Sequence, residues 1–370
     1  MALYHFSNVV TRDLLFYYDA ANPKSWRGAP TTNILENNLS AFNDIVGNST
    51  KTVIGPNEVK WVNNGVGVTV VRMYVPLASL TNAQTYGVSV YVKDLVGTAS
   101  LDWCDQPVTG SPSLINTAGR LSGTSSRGTY DSTYRFLDVT LTAGGMMTLY
   151  DPQIDSVNYV TPYVAPTTSR SSTQSITDLT NTCVITNTSL TYQTNNTFTF
   201  NGSNNYLTIS TFPTKPTVGM TVEAWIRPNK PTISGTQRGG AISATNSMYL
   251  GLIDSADGGL TYGMHFANQT SVNRVASYNG NVPNNAWSHI AGTYDGITSR
   301  SYLNGVQISA TAQTGTIPDA TYVIGTYGNA LQDGVHNFNG QVPVGRIYSR
   351  ALSAVEIAQN FNALRGRYGL

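Results

Sequence analysis

Residues able to do chemistry are sparse in this chain. A retaining glycosidase needs two carboxyl groups about 5 Å apart, one acting as acid and the other as nucleophile. The best candidate strand, TVEAWIR, offers Glu223 alone. Asp254 and Asp257 lie close together in IDSADGG, a segment that reads as a turn. A serine nucleophile on a sharp elbow would need G-x-S-x-G, which does not occur. His5, His265, His289 and His336 form neither an H-x-x-x-H nor an H-E-x-x-H pair. His289, two residues after Trp287, reads as a structural sheet residue. Fragments such as GVG at Gly65–Gly67 are turn and strand glycines, and no P-loop accompanies them. The expectation is a protein without catalytic residues.

Binding chemistry has more material. Calcium takes a ring of oxygen donors, and Asp254, Asp257 and Asp295 could supply carboxylates. Polar turns that satisfy their own backbone explain the same residues more simply. No cofactor is therefore expected, with calcium the weaker alternative. A sugar needs an aromatic surface bordered by planar polar groups. Trp103, between Asp102 and Asp105 in LDWCDQP, is one candidate, and Tyr130 in RGTYDSTY is another. Tyr262 and Tyr327 are candidates later in the chain. Trp225 and Trp287 sit in alternating strand patterns and are expected in the core.

The elements that must position these groups are strands. Of 370 residues only 11% are charged and the formal net charge is +1, so the basic face of a nucleic-acid binder is missing. With 34 Gly, 22 Tyr and many Thr, Ser and Asn, the chain reads as all-β with frequent turns. Cys104 and Cys183 are far apart and read as free thiols. MALYHFSNVVTRD lacks a basic stretch followed by an apolar one, so a secretory signal is not expected and synthesis in a cytoplasm is. No apolar run is long enough to span a bilayer.

Val222, Ala224 and Ile226 alternate with Thr221, Glu223, Trp225 and Arg227, the period of a half-buried strand. Trp287–Thr293 and Arg300–Val306 are further strand signals. Asp295-Gly296, Asn304-Gly305 and Asn339-Gly340 read as turn dipeptides. Ser353 and Glu356 have the spacing of a capping box ahead of the one short helix. Earlier in the chain, LLFYYD at Leu14–Asp19 is an apolar strand ended by Asn22-Pro23. Val66–Val75, Tyr86–Val92 and Tyr134–Leu141 alternate as strands of a separate sandwich. TTSRSSTQS at Thr167–Ser175 is a Ser/Thr-rich connector.

VEAWIRP, WSHIAGTYDG, YLNG, FNG and RIYSRALS…EI, in that order, resemble the laminin-G-like, concanavalin A-like β-sandwich family. FNGSNNY resembles that family's F-D-G-x-x-D-Y strand, with Asn201 and Asn205 where Asp is usual. DLLFYYDAANPKSW resembles the opening of such domains in tailed-phage virion proteins, and its expected continuation, ITDL, comes only at Ile176–Leu179. The segment between ends in LYDPQIDSVNYVTPYVAP, which resembles the exit of carbohydrate-binding-module-like jelly rolls.

The resemblance implies an all-β protein of two antiparallel sandwiches, the second laminin-G-like. Residues 1–28 would be an arm and the first strand of the C-terminal sandwich, 29–166 an inserted jelly roll, and 167–370 the rest of the laminin-G-like domain. Leu14 and Phe16, or Leu15 and Tyr17, should then pack near Ile347. It implies a non-enzymatic virion protein, a capsid decoration or tail accessory protein that displays glycan-binding-type domains and aids host adhesion. Its partners would be other virion proteins and host cell-surface glycans, with neither nucleic acid nor membrane insertion. The alternative is a receptor-binding tail adhesin, or a cellular lectin or glycan-processing protein.

Overall fold

The computed structural model describes residues 8–370 except 29–30, 33–42, 56–57, 77–83, 104–105, 108–112, 126–133, 157–159, 161–168, 194–196, 211, 213–214, 230–237, 245–246, 255–260, 272–273 and 328–336. The protein is all-β, built from antiparallel sheets in sandwich, jelly-roll-like arrangements, with one short helix near the C-terminus. The chain forms two compact units. One comprises Met1–Arg27 and Ser172–Leu370, and the other Gly28–Ser171.

In the larger unit, an eight-stranded sheet runs in the order Thr191–Gln193, Thr197–Asn201, Asn339–Tyr348, Met220–Pro228, Ser288–Tyr294, Thr298–Leu303 and Val306–Ala312. Leu14–Asp19 is its eighth strand and pairs Asn339–Tyr348, with Phe16 opposite Ile347 and Tyr18 opposite Gly345. Thr197–Asn201 also pairs Asn339–Tyr348, through Gln341 and Gly340. The two short strands therefore share one flank of the long strand, and Met220–Pro228 takes the other. A seven-stranded sheet faces this one, from Ile185–Thr188 through Tyr206–Ile209, Tyr322–Ile324, Arg238–Ala244, Met248–Asp254 and Thr261–Gln269 to Arg274–Pro283.

The sheets approach closely where the sequence provides glycine. A Cβ on Gly292 would sit 2.3 Å from the Phe266 ring, and one on Gly345 would sit 3.0 Å from Cδ1 of Ile242. Register places Val222 opposite Gly292 and Ala224 opposite Gly345, so these face the opposing sheet. Thr221, Glu223 and Trp225 then point the other way. Alternation predicts a half-buried strand, yet Met220–Ile226 is buried on both sides. The reason is the helix Ala354–Leu364 and the turn Arg365–Tyr368, whose Phe361 and Tyr368 rings stack on Trp225 at 5.6 and 4.3 Å.

The helix starts at a full capping box: Ser353 accepts from the Glu356 amide, and the Glu356 carboxylate accepts from the Ser353 amide. Asn304 and Gly305 both take positive φ, 50° and 80°, as a two-residue hairpin turn needs. Asn339-Gly340 behaves otherwise. It opens a strand, paired to Phe200 on one side and Pro228 on the other, and Gly340 is required because a Cβ would lie 2.3 Å from the Arg227 carbonyl.

The smaller unit pairs a six-stranded sheet, which includes Ala99–Trp103, Tyr134–Leu141 and Thr69–Pro76, with a five-stranded one. The five-stranded order is Gly119–Ser125, Tyr86–Val96, Met146–Asp155, Glu58–Asn63 and Ser49–Gly55. Val59, Trp61, Val88, Val90, Leu101, Trp103, Leu137 and Leu149 are among the residues of its core. Val66, expected at a strand start, is fully exposed in the turn before Thr69.

Candidate functional site

Glu223 is the one carboxylate on the strand that could have supported glycoside hydrolysis, and it is 1% exposed. Nη1 of Arg346 donates to its Oε1 at 2.6 Å, and Nδ2 of Asn360 donates to the same oxygen at 3.0 Å. Nε2 of His289 lies 3.4 Å from Oε2. Burial would raise the Glu223 carboxyl, but the Arg346 charge and the His289 contact outweigh it and hold the group at about 2. The Arg346 guanidinium also lies 4.6 Å from the Tyr17 ring centroid. Tyr348 and Asn360 complete the cluster and grip Val10: the Asn360 side-chain oxygen accepts from the Val10 amide, and the Tyr348 hydroxyl donates to the Val10 carbonyl. This carboxylate is permanently charged, permanently paired and sealed beneath a helix. It can neither deliver a proton near neutral pH nor reach a sugar.

The residues expected to bind ligands are scattered. Trp103 is fully buried in the core of the smaller sandwich and presents no face to a ligand, because strand alternation turns Leu101 and Trp103 inward and Asp102 outward. Tyr262 lies in the strand Thr261–Gln269, opposite Asp254 and Val282. Tyr327 is half-buried, edge-on to Tyr249 at 5.7 Å. Tyr130 and Asp257 lie outside the described residues. Asp295 is committed to its own turn: Oδ1 accepts from the amides of Ile297 and Thr298, and Oδ2 accepts from Arg300 at 2.6 Å. Among the described residues no group of His, Cys, Asp and Glu side chains could hold a metal. Asn201 and Asn205 close a polar turn in which the Asn205 side chain accepts from the Asn201 amide at 2.7 Å. Cys183 is a free thiol, and Cys104 lies outside the described residues.

A different surface is assembled on the five-stranded sheet of the smaller unit. Val88, Val90 and Val92 point into the core, so Tyr91 and Lys93 face the other way. Register then aligns four side chains across four strands: Arg120 opposite Tyr91, Tyr91 opposite Tyr150, and Tyr150 opposite Glu58. The two rings stack at 5.3 Å with 29° between their planes. The Arg120 guanidinium lies 5.1 Å from the Tyr91 centroid, and Nζ of Lys93 lies 5.5 Å from that of Tyr150. Lys93 also pairs with Glu58 at 2.7 Å, and that bond raises the lysine. All five residues are half-buried. Along the same face the polar groups become fully enclosed. Arg120 donates to Ser89 Oγ at 2.7 Å, and Gln153 donates to Asp155 at 2.6 Å. The row is thus held rigidly, with cations and an anion bordering a partly open aromatic pair.

Residues 201–358 match the family model of the concanavalin A-like lectin/glucanases superfamily. This part of the chain is a concanavalin A-like, laminin-G-like β-sandwich. No curated protein sequence matches the chain significantly. Among solved structures, similarity is found to domain 4 of an extracellular arabinanase from Geobacillus stearothermophilus in complex with arabinotriose, at 18% identity over 50% of this chain and 91% of that one, with a TM-score of 0.38. A SAP-like pentraxin from Limulus polyphemus is similar at 17% identity over 43% of this chain and 78% of that one, with a TM-score of 0.34. A Trypanosoma rangeli sialidase is similar at 16% identity over 51% and 31% respectively, with a TM-score of 0.40.

Proposed function

We propose that this is a non-enzymatic glycan-binding protein of the lectin or adhesin type. The observation that carries the reading is the row Arg120–Tyr91–Tyr150–Glu58, with Lys93 beside it. A sugar offers apolar C–H faces and a ring of hydroxyls. A pre-ordered aromatic pair bordered by guanidinium, ammonium and carboxylate heads matches both, and little side-chain entropy is lost on binding because the row is already fixed. The state of Glu223 supports the non-enzymatic half of the proposal, since the carboxylate best placed by sequence is locked in an ion pair.

The setting we propose is a phage particle. The nested order of a jelly roll within a laminin-G-like domain resembles tailed-phage virion proteins, where such a protein would serve as a receptor-binding adhesin or a decoration protein.

A glycan array probed with the purified chain, followed by calorimetry on the best ligand, tests the reading. Tyr91→Ala with Tyr150→Ala should weaken binding at least about tenfold without unfolding the protein, given about 1 kcal/mol or more per aromatic contact. An array with no ligand, or a double variant that binds like the parent, would sink the assignment. Mass spectrometry of phage particles addresses the setting, because it reports presence and copy number together.

A further inference from the structure

The outer face of the eight-stranded sheet is not covered evenly. Trp225 is fully buried beneath Phe361 and Tyr368. Trp287, on the same face, is half-buried, and the Tyr368 ring meets it at 4.6 Å. Ile226 pairs with Ser288, so Arg227 and Trp287 are the next residues along two adjoining strands, on the face that carries Trp225. Nε of Arg227 donates to the Asn285 carbonyl at 2.9 Å, and the Asn285 amide donates to the Pro228 carbonyl at 2.8 Å. That fixes the arginine stem and orients its fork. Among the described residues, Arg227 makes no ion pair, and its terminal nitrogens make no hydrogen bond. The C-terminal turn that meets Trp287 through Tyr368 also carries exposed Arg365 and Arg367, and among the described residues only Arg367 is matched by a carboxylate, that of Asp19 at 2.7 Å.

The geometry points to a second ligand site, independent of the tyrosine row and in the other unit, that takes a carboxylated sugar. The half-open indole supplies an apolar surface for the C–H face of a pyranose ring. Arg227 supplies a pre-positioned fork for a planar carboxylate, the anion its geometry suits best. The positive charge of Arg227, which has no ion-pair partner among the described residues, favours an acidic over a neutral sugar. This inference does not depend on the tyrosine row, and either site can fail without the other.

The test uses the full chain in low-salt buffer, with calorimetry against three probes: a uronic-acid trisaccharide, sialylated lactose and plain lactose. Binding of either carboxylated probe, with lactose about tenfold weaker or more, is expected, since a charge-assisted hydrogen bond is worth about one to two decades in affinity. The uronide and sialoside arms show which source of the carboxylate the site prefers. Arg227→Gln should remove the discrimination, and Trp287→Ala should weaken binding to the preferred probe, each with melting temperature followed as a control. Because Trp287→Ala disturbs packing on Tyr368, Arg227→Gln is the decisive variant. Tyr91→Ala with Tyr150→Ala should leave this binding unchanged. The proposal is overturned if no carboxylated probe binds, if lactose binds equally well, or if a folded Arg227→Gln protein binds like the parent. Loss of binding in the tyrosine variant alone would return the acidic ligand to the smaller sandwich and likewise overturn this site.

Discussion

Arg346 and Glu223 meet at 2.6 Å with both side chains essentially excluded from water. The pair joins two central strands of the larger sandwich, and helix residue Asn360 bonds the same carboxylate. Removing one partner leaves an uncompensated buried charge. Arg346→Ala should therefore cost about 3–5 kcal/mol in a urea titration. Glu223→Gln should also destabilise, and it should abolish no hydrolytic activity because none is supported by this site. Reducing ends released from a polysaccharide by the parent, and not by the Glu223 variant, would refute that assignment.

The pH response has a definite sign. Glu223 and Glu356 are both held at about 2 in the folded protein, against an ordinary value of 4.5. Arg346 does this for Glu223 against the opposing effect of burial, and a hydrogen bond from Arg350 does it for Glu356. A depressed folded value means the unfolded chain binds the proton first. The stabilisation is complete above about pH 5 and drains away as pH falls from about 4.5 towards 2. Melting temperature should be flat from pH 7 to 5 and then drop steeply. Glu356→Gln should lower the plateau slightly and soften the drop. A drop already under way between pH 7 and 5 would contradict this account.

How much of this was legible follows from particular residues. Asn304-Gly305 and the Ser353–Glu356 box are local devices, and each sits where its chemistry says. Asn339-Gly340 looked identical to a turn, yet its glycine serves a close approach to the Arg227 carbonyl, a long-range fact with no local signature. Trp103 stands out in the sequence for its acidic neighbours, although the alternation of Leu101, Asp102 and Trp103 already turns it inward. The same reasoning applied to VSVYVK would have put Tyr91 and Lys93 outside. Their alignment with Tyr150 could not be read, because that strand carries register shifts on either side of the aligned stretch, between Met146 and Thr148 and between Tyr150 and Gln153. Trp287 is expected in the core from its strand pattern, and the structure leaves it half-buried against Tyr368.

Calcium should be dispensable. Both carboxylate oxygens of Asp295 are occupied by its own turn and by Arg300, which also lower its proton affinity. A chelator should shift the melting temperature by less than about 1 °C, below the roughly 2–4 °C that 1 kcal/mol represents for a domain of this size. A larger fall, reversed by Ca²⁺ and absent in Asp254→Asn, would restore the calcium reading.

The two tryptophans of the outer face should separate by burial. Trp225→Ala removes a fully enclosed ring and should cost about 3–5 kcal/mol. Trp287→Ala removes a half-buried ring and should cost clearly less. Equal losses in chemical denaturation would mean that Trp287 is as much a core residue as Trp225.

The strand Leu14–Asp19 bears on how the domains are divided, and we propose that the smaller unit is a domain inserted into the larger. The chain leaves and re-enters the larger unit at adjacent points. Trp26 bridges Ile176, the Arg27 amide donates to the Ser175 carbonyl at 2.9 Å, and the Thr177 amide donates to the Ser25 carbonyl at 2.7 Å. Asp178, 2% exposed, ties the re-entering segment to the first strand by accepting from the Tyr17, Thr180, Thr182 and Cys183 amides. Phe16 and Tyr18 are fully buried, and Tyr18 donates to the Val342 carbonyl. Replacing 28–171 with a short Gly/Ser turn should therefore leave a folded sandwich, because a short loop closes at small entropic cost between ends already in contact. A fragment beginning at Ser172 lacks Phe16 and Tyr18, exposes the flank of Asn339–Tyr348 and leaves the Asp178 carboxylate without the Tyr17 amide. It should unfold at markedly lower denaturant than the loop-closed chain, by several kcal/mol for two lost core aromatics. Equal midpoints for the two proteins would show that Leu14–Asp19 is dispensable to the larger sandwich and that the insertion reading is wrong.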